Sequence, residues 1–282
     1  MEIVYSHGAI FMKPNVAIIL ANYNYGEYVI DAIKSIDRQT YDGKIKIFLV
    51  NDGSTDDSWT KILDYAYKNS NNIKLENKTF ESSYYNGQYE SIEDEEKFKF
   101  INISNSGAST ARNVAMWEAW DWADVFGILD ADDEYKPEKI NKLVDILIEH
   151  DEVGVAYADY DIVKDYTDLK YTSHEFKQSY SKEKLLNSCV VHSGSLVKKN
   201  YLEKVVLTNK EIFDSRLHGP GSGKFIGCTE DYDLWLRLSN YCIMCHVPES
   251  LSVVRESGKN QSMKMTSETF QQNAKILSSR IL

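Results

Sequence analysis

No run of about 18 apolar residues occurs in the 282-residue chain, so no membrane-spanning helix is expected. The N-terminus lacks a basic stretch followed by an apolar one and does not read as a signal peptide. Positive charge is in deficit: 32 Lys and Arg stand against 43 Asp and Glu, a net charge of −11. That balance repels polyanions and argues against general nucleic-acid binding. Cysteine is scarce, at Cys189, Cys228, Cys242 and Cys245. Cys242 and Cys245 read C-I-M-C with His246 next, but a zinc ribbon needs a second such pair and none exists. The two are expected to be chance neighbours in a strand, and the lack of disulfide spacing suggests a reducing compartment. No internal repeat or heptad pattern is visible. These absences lead to the expectation of a soluble, cytoplasmic protein, with peripheral contact at the inner face of a membrane left open.

What remains is ordinary globular material, 43% apolar and 27% charged. Val16 to Ala21 is a continuous apolar run, the mark of a strand buried on both faces. Glu27 to Arg38 then places Tyr28, Val29, Ala32, Ile33 and Ile36 on one helical face. The pattern recurs. Strands are expected at Ile45 to Val50, Phe98 to Ile103, Val125 to Leu129 and Val153 to Ala158. Helices are expected around Trp59 to Ala66, from Ser109 or Thr110 as cap to Ala123, and after Pro137. Such alternation predicts an α/β fold with an open, mainly parallel sheet flanked by helices. Asn69 to Lys97 interrupts it and reads as an inserted hairpin or loop around the turn signal Asn86-Gly87. Beyond residue 160 the alternation fades. Gly219 to Gly223 reads as a flexible loop, and Glu230 to Asn240 as a helix.

In such sheets ligands bind at the carboxyl ends of the strands. Asn22 to Tyr25, Asn51 to Ser54 and Asp130 to Asp133 all follow strands directly. Asp130, Asp132, Asp133 and Glu134 crowd four carboxylates into one such end. Close carboxylates repel unless a cation shares them, and hard divalent ions take oxygen ligands together with phosphate oxygens. Asp130 and Asp132 therefore suggest a metal bridging the protein to a diphosphate. Asp133 and Glu134 read instead as solvated acids opening the next helix, where the helix dipole favours them.

The segments "ANYNYGEYVIDAIKSIDRQT", "VNDGSTDDS", "NSGASTARNVA", "LDADDEYKP" and "TEDYDLWLRL" resemble, in order and spacing, the family 2 inverting glycosyltransferases. The resemblance covers about residues 14–262 and implies a GT-A fold, a Rossmann-like sheet with a C-terminal acceptor-binding part. It implies one domain: nucleotide-sugar binding over about 14–135, acceptor binding over about 136–262, the insertion at 69–97 and a tail at 263–282. Position by position it assigns Ala21 and Tyr23 to the nucleobase and Asp52 to base or ribose. It assigns Arg112 to the nucleotide side and Asp130 to ribose and metal. Ala131 lies against the nucleotide, and Asp132 is the direct ligand of Mn2+ or Mg2+. Asp231 matches the base that deprotonates the acceptor hydroxyl, with Glu230 in support. "VVRESGKNQS" resembles a further family segment, in which Arg255 could clamp the diphosphate, assisted by Lys259 and Lys264, and Asn260 and Ser262 match. Ser257 stands where a metal-binding histidine often does, which leaves a third protein ligand in doubt. His192 reads as lining the sugar or acceptor side or as a core residue, His246 as structural.

The implied activity is metal-dependent inverting transfer from a nucleotide-diphosphate sugar, a UDP-sugar above others, to an acceptor hydroxyl of a glycan, lipid-linked glycan or other molecule. Two rival readings are weaker. A nucleotidyltransferase is expected to carry a glycine-rich basic loop where Asn22-Tyr23-Asn24-Tyr25 stands. A catalytically inactive nucleotide-sugar-binding module would have no use for the intact acid set.

Overall fold

The computed structural model describes residues 4–6, 9–82, 85–165, 170–217, 229–256 and 266–280. The expected loop at Gly219 to Gly223, and Cys228, Ser257, Lys259, Asn260, Ser262 and Lys264, lie outside the described residues.

A short hairpin of β1 (Val4–Ser6) and β2 (Ala9–Phe11) precedes the main body. Then follow β3 (Val16–Asn22), α1 (Val29–Asp37), β4 (Ile45–Asp52), α2 (Ser58–Asn69), β5 (Ile73–Glu81), β6 (Asn86–Asp94), β7 (Phe98–Ile103) and α3 (Ala108–Ala119). The second half holds β8 (Val125–Asp130), β9 (Glu134–Tyr135), α4 (Lys139–Glu149), β10 (Val153–Asp165), β11 (Lys170–Glu175), α5 (Lys182–Asn187), β12 (Leu196–Lys198) and α6 (Lys199–Leu202). It closes with α7 (Glu230–Leu238), β13 (Ile243–Arg255) and α8 (Ser267–Ser278).

Eleven strands form one sheet in the order β5-β6-β7-β4-β3-β8-β12-β10-β13-β9, with β11 beside β10. Its centre, β7-β4-β3-β8, is parallel. β3 and β8 read as unbroken apolar runs because both faces are covered, while β4 and β7 each carry one buried lysine, Lys46 paired with Glu93 and Lys99 with Glu118. Val16, Ile18 and Leu20 point into a core shared with α1, α2 and α4, while Ala17 and Ile19 point into the one shared with α3, α6, α7 and α8. α1 presents Val29, Ala32, Ile33 and Ile36 to the first of these cores, the spacing of one helical stripe.

Three expectations need amendment. The Asn69 to Lys97 stretch is the expected hairpin, but Asn86-Gly87 opens β6 instead of forming the turn, and β5 and β6 continue the main sheet through β7, with Tyr89 and Ile92 buried. Helix α3 does not begin on a Ser or Thr cap. Gly107 precedes it at φ 93°, a conformation glycine adopts without strain, and Ser109 and Thr110 are buried in the first turn. The strand at Val153 runs on to Asp165, because β13 and β11 pair with its extension on either side. Neither partner is visible from the local apolar pattern.

Candidate active site

The parallel strands end along one edge, and their polar ends are tied to each other. Asn22 Nδ2 donates to Asn51 Oδ1 at 2.8 Å, and Asn51 Nδ2 to Asn102 Oδ1 at 2.7 Å. This asparagine ladder across β3, β4 and β7 was not singled out in the sequence, where Asn22 and Asn51 look like ordinary turn residues and Asn102 like one polar residue of a strand. Asp52 is 2% exposed. Its carboxylate accepts from the backbone N–H of Ser106 at 2.7 Å and of Gly107 at 2.8 Å. Asp52 thus fixes the loop that starts α3, and Gly53 (φ 64°) turns the chain beneath Asn105. Tyr23 follows β3 and is 45% exposed. Ala21 lies in register with Asp130.

The acid cluster is more buried than its composition suggests. Asp132 is 6% exposed, and burial, with Asp130 beside it, pushes its carboxyl up to about 7. Hydrogen bonding by the Tyr25 side chain and the Arg255 charge act in the other direction. The expectation of solvated acids at a helix start is overturned for both remaining residues. Asp133 is 7% exposed, and its carboxyl is raised by burial and by Asp132 and Asp130. Glu134 belongs to β9, where it pairs with Arg38 at 2.8 Å and with Arg255. α4 starts only at Lys139, so neither acid lies in its first turn. Ala131 turns its methyl into the core.

Arg112 joins two parts of the chain far apart in sequence. It donates to Asp130 Oδ1 and to Glu230 Oε1, both at 2.7 Å, with its side chain 11% exposed. It is neither a surface ion pair nor free to face a nucleotide alone. Asn113 works beside it, accepting at Oδ1 from the N–H groups of Ile212 and Phe213. Asp231 follows Glu230 at the start of α7. Burial and the Glu230 charge push it up to about 7, and Arg112 opposes that shift. Asp233 pairs with Arg237 at 2.8 Å and takes a structural part.

Asp130, Asp132, Asp133 and Asp231 all line one cleft of about 760 Å³. His192 and Ser193 line it too, from the loop before β12. Ser193 Oγ donates to Asp130 Oδ2 at 3.2 Å. Arg255 is not among the cleft-lining residues; it is 4% exposed beside Glu134 and Tyr28, and its N–H holds Asp133 at 3.0 Å. His246 binds Asp159 at 2.8 Å and stacks on Tyr157, a structural setting. Cys242 and Cys245 are free thiols at the start of β13.

Lys139 escaped notice in the sequence. It is 1% exposed, donates to Ser252 Oγ at 2.5 Å and lies 3.8 Å from the Tyr135 ring centroid. Burial pushes its ammonium down to about 7, against the pull of Asp133 and Asp130. A signal existed: Lys139 falls one turn before Leu143, on the buried stripe of α4.

The donors around Asp130 and Asp132 are oxygens, which suits a hard divalent cation. A buried carboxylate pushed up to about 7 next to another carboxylate is a position that lacks positive charge. Among the described residues no group of three or more His, Cys, Asp or Glu has metal-holding geometry.

Comparison with known proteins bears on the family and the fold. The chain is 31% identical over 142 residues to an uncharacterized glycosyltransferase of Nostoc sp., covering 50% of this chain and 35% of that protein. It is 28% identical over 232 residues to an uncharacterized glycosyltransferase of Rickettsia prowazekii, covering 80% and 58%. It is 24% identical over 206 residues to the minor teichoic acid biosynthesis protein GgaA of Bacillus subtilis, covering 70% and 40%. The chain thus spans from about a third to under two thirds of these relatives. Among solved structures, S. aureus TarS in complex with UDP-GlcNAc superimposes with a TM-score of 0.63 at 14% identity, covering 95% of this chain and 66% of that one. The TarS complex with UDP gives 0.60 at 15% identity, covering 95% and 65%. At such identity the likeness establishes the fold, which is GT-A. The sequence model of "Glycosyl transferase family 2" matches residues 17–87 and 84–206, most of the chain, and the chain belongs to that family.

Proposed function

We propose that this chain transfers a sugar from a nucleotide-diphosphate sugar, a UDP-sugar above others, to an acceptor hydroxyl with inversion at the anomeric carbon. One observation carries the reading: Asp132 and Asp231 line the same cleft, although 99 positions separate them in sequence. The relatives named as glycosyltransferases, and the TarS complexes with UDP and UDP-GlcNAc, support it.

The nucleotide fits the strand-end edge. Tyr23 offers an exposed ring face to the base beside Ala21, and Asp52 holds the 105–107 loop that borders it. Asp132, with Asp130 next to it, would hold Mn2+ or Mg2+, which when bound neutralises charge on the leaving diphosphate. Asp231 takes the proton of the acceptor hydroxyl as the new bond forms. Its carboxyl, raised to about 7, is a stronger base than an ordinary aspartate and is still largely ionised just above neutrality. Attack opposite the leaving group needs no covalent intermediate. Arg112 holds Glu230 and Asp130 together, so the base is set relative to the metal-binding end of the cleft. In this reading Arg255 stands behind the acid cluster and orients Asp133 and Glu134.

UDP release from a screened set of UDP-sugars, with magnesium or manganese and then with chelator, tests the proposal. Metal-dependent release that disappears in Asp231→Asn supports it. Tight UDP binding with no turnover on any donor would leave the chain a binding module.

A further inference from the structure

The cleft has a second wall, opposite in charge to the first. Among the described residues that line it, Lys177 is the one Lys or Arg. Its ammonium has no carboxylate within ion-pair distance among the described residues and lies 5.9 Å from the Tyr160 ring centroid. This is not a lysine on a loose loop. Its backbone N–H donates to Asp159 Oδ1 at 2.7 Å, and Asp159 is 2% exposed and also held by His246. The next residue is anchored as well, its carbonyl accepting from the Tyr157 hydroxyl at 2.5 Å. Two neighbouring residues are therefore pinned to β10 from outside the strand, and the lysine is presented at the rim.

Below it the Tyr160 and His192 rings lie 4.4 Å apart at 32°. His192 is kept neutral by burial and by the nearby charges of Lys139 and Lys177. Two adjacent uncharged rings, tilted to each other, offer an apolar surface against which a sugar ring can pack. Lys177, Cys189 and Asp231 all line this cleft.

We infer that this end is a subsite for a sugar or polyol bearing an anionic group, a phosphate or carboxylate, with Lys177 as its counter-charge and the Tyr160–His192 pair as its platform. The inference rests on the reading of the cleft as a transferase site and names a feature of what binds beside Asp231. The anion can come from the acceptor or from the donor sugar. Among the described residues that line the cleft Lys177 is the one cationic point, and the acids of the facing wall repel anions around it.

Calorimetric titrations test it with sn-glycerol 3-phosphate against glycerol, and UDP-glucuronate against UDP-glucose. They use wild type, Lys177→Met and Lys177→Arg, with magnesium present, and the glycerol pair is run with and without UDP. Thermal unfolding checks that each variant is folded. The inference expects one charged ligand of a pair to bind about tenfold tighter than its neutral partner. That preference should vanish in Lys177→Met and return in Lys177→Arg. A preference in the glycerol pair assigns the anion to the acceptor, and one in the donor pair to the sugar. Equal binding within both pairs, or a preference that survives in Lys177→Met, overturns the inference. UDP affinity of the wild type is a separate readout: its absence sinks the transferase reading, while UDP binding without any charge preference sinks only this one.

Discussion

Consider Asp231→Asn, which changes one oxygen to nitrogen and removes one charge. In the wild type the Asp231 carboxyl sits at about 7, because burial and Glu230 outweigh the Arg112 guanidinium. About a tenth of it is then ionised at pH 6 and about nine-tenths at pH 8. If this carboxylate is the base, kcat/KM for transfer rises about tenfold per pH unit below 7 and levels off above it. If Asp132 holds the metal, saturating magnesium would keep it ionised, and the part of the limb owed to Asp231 is the part that Asp231→Asn removes. Asparagine cannot accept the proton, and the rate at pH 8 should fall by about 10²–10⁴-fold, the usual worth of a positioned general base. The limb should also disappear. Stability moves the other way. A carboxyl raised in the folded state favours folding at low pH and withdraws that support as pH climbs from its unfolded value near 4 through about 7. Replacing it with a neutral amide relieves the folded chain above pH 7, so the variant should unfold at a temperature no lower than the wild type at pH 8. The assay is UDP release over pH 5.5–9 for both proteins, with calorimetric UDP titration to show that donor binding survives. Near-normal turnover in Asp231→Asn, or an unchanged rising limb, refutes the assignment of the base.

Asp132→Ala should abolish metal-dependent transfer and remove the magnesium dependence of UDP affinity in calorimetry, while UDP binding without metal changes little. Arg112→Met leaves Glu230, 5% exposed, without its guanidinium and should lower stability by about 3–5 kcal/mol in urea unfolding. An effect under ~1 kcal/mol would mean the strut between Asp130 and Glu230 does little. Tyr23→Ala should weaken UDP about tenfold, the lower part of the range for base–aromatic stacking, with stability unchanged because the ring is exposed. Unaltered UDP affinity would place the base elsewhere.

Much of this molecule is written in local pattern. The strands β3, β4, β7 and β8 could be read directly because each is a mainly apolar segment, broken only by Lys46 in β4 and by Lys99 and Asn102 in β7 before its polar end. The helices between them follow from apolar stripes at one-turn spacing, and the strand-end acids from their position. Chain-local chemistry is enough there, since burial on both faces is itself a property of a short segment. The partners of the site residues are another matter. Arg112 meets Glu230 across 118 positions, Asp52 holds Gly107 across 55, and Ser252 takes Lys139 across 113. Charge and polarity mark such residues as candidates and say nothing of whom they face. Asp133 shows the cost: in sequence it resembles a solvated helix-start acid, yet β13 folds over it and Arg255 supplies its backbone N–H. The kinds of chemistry available were legible from residue type and order. Which groups share a cleft, and hence their burial and basicity, depends on long-range packing that no window of neighbouring residues contains.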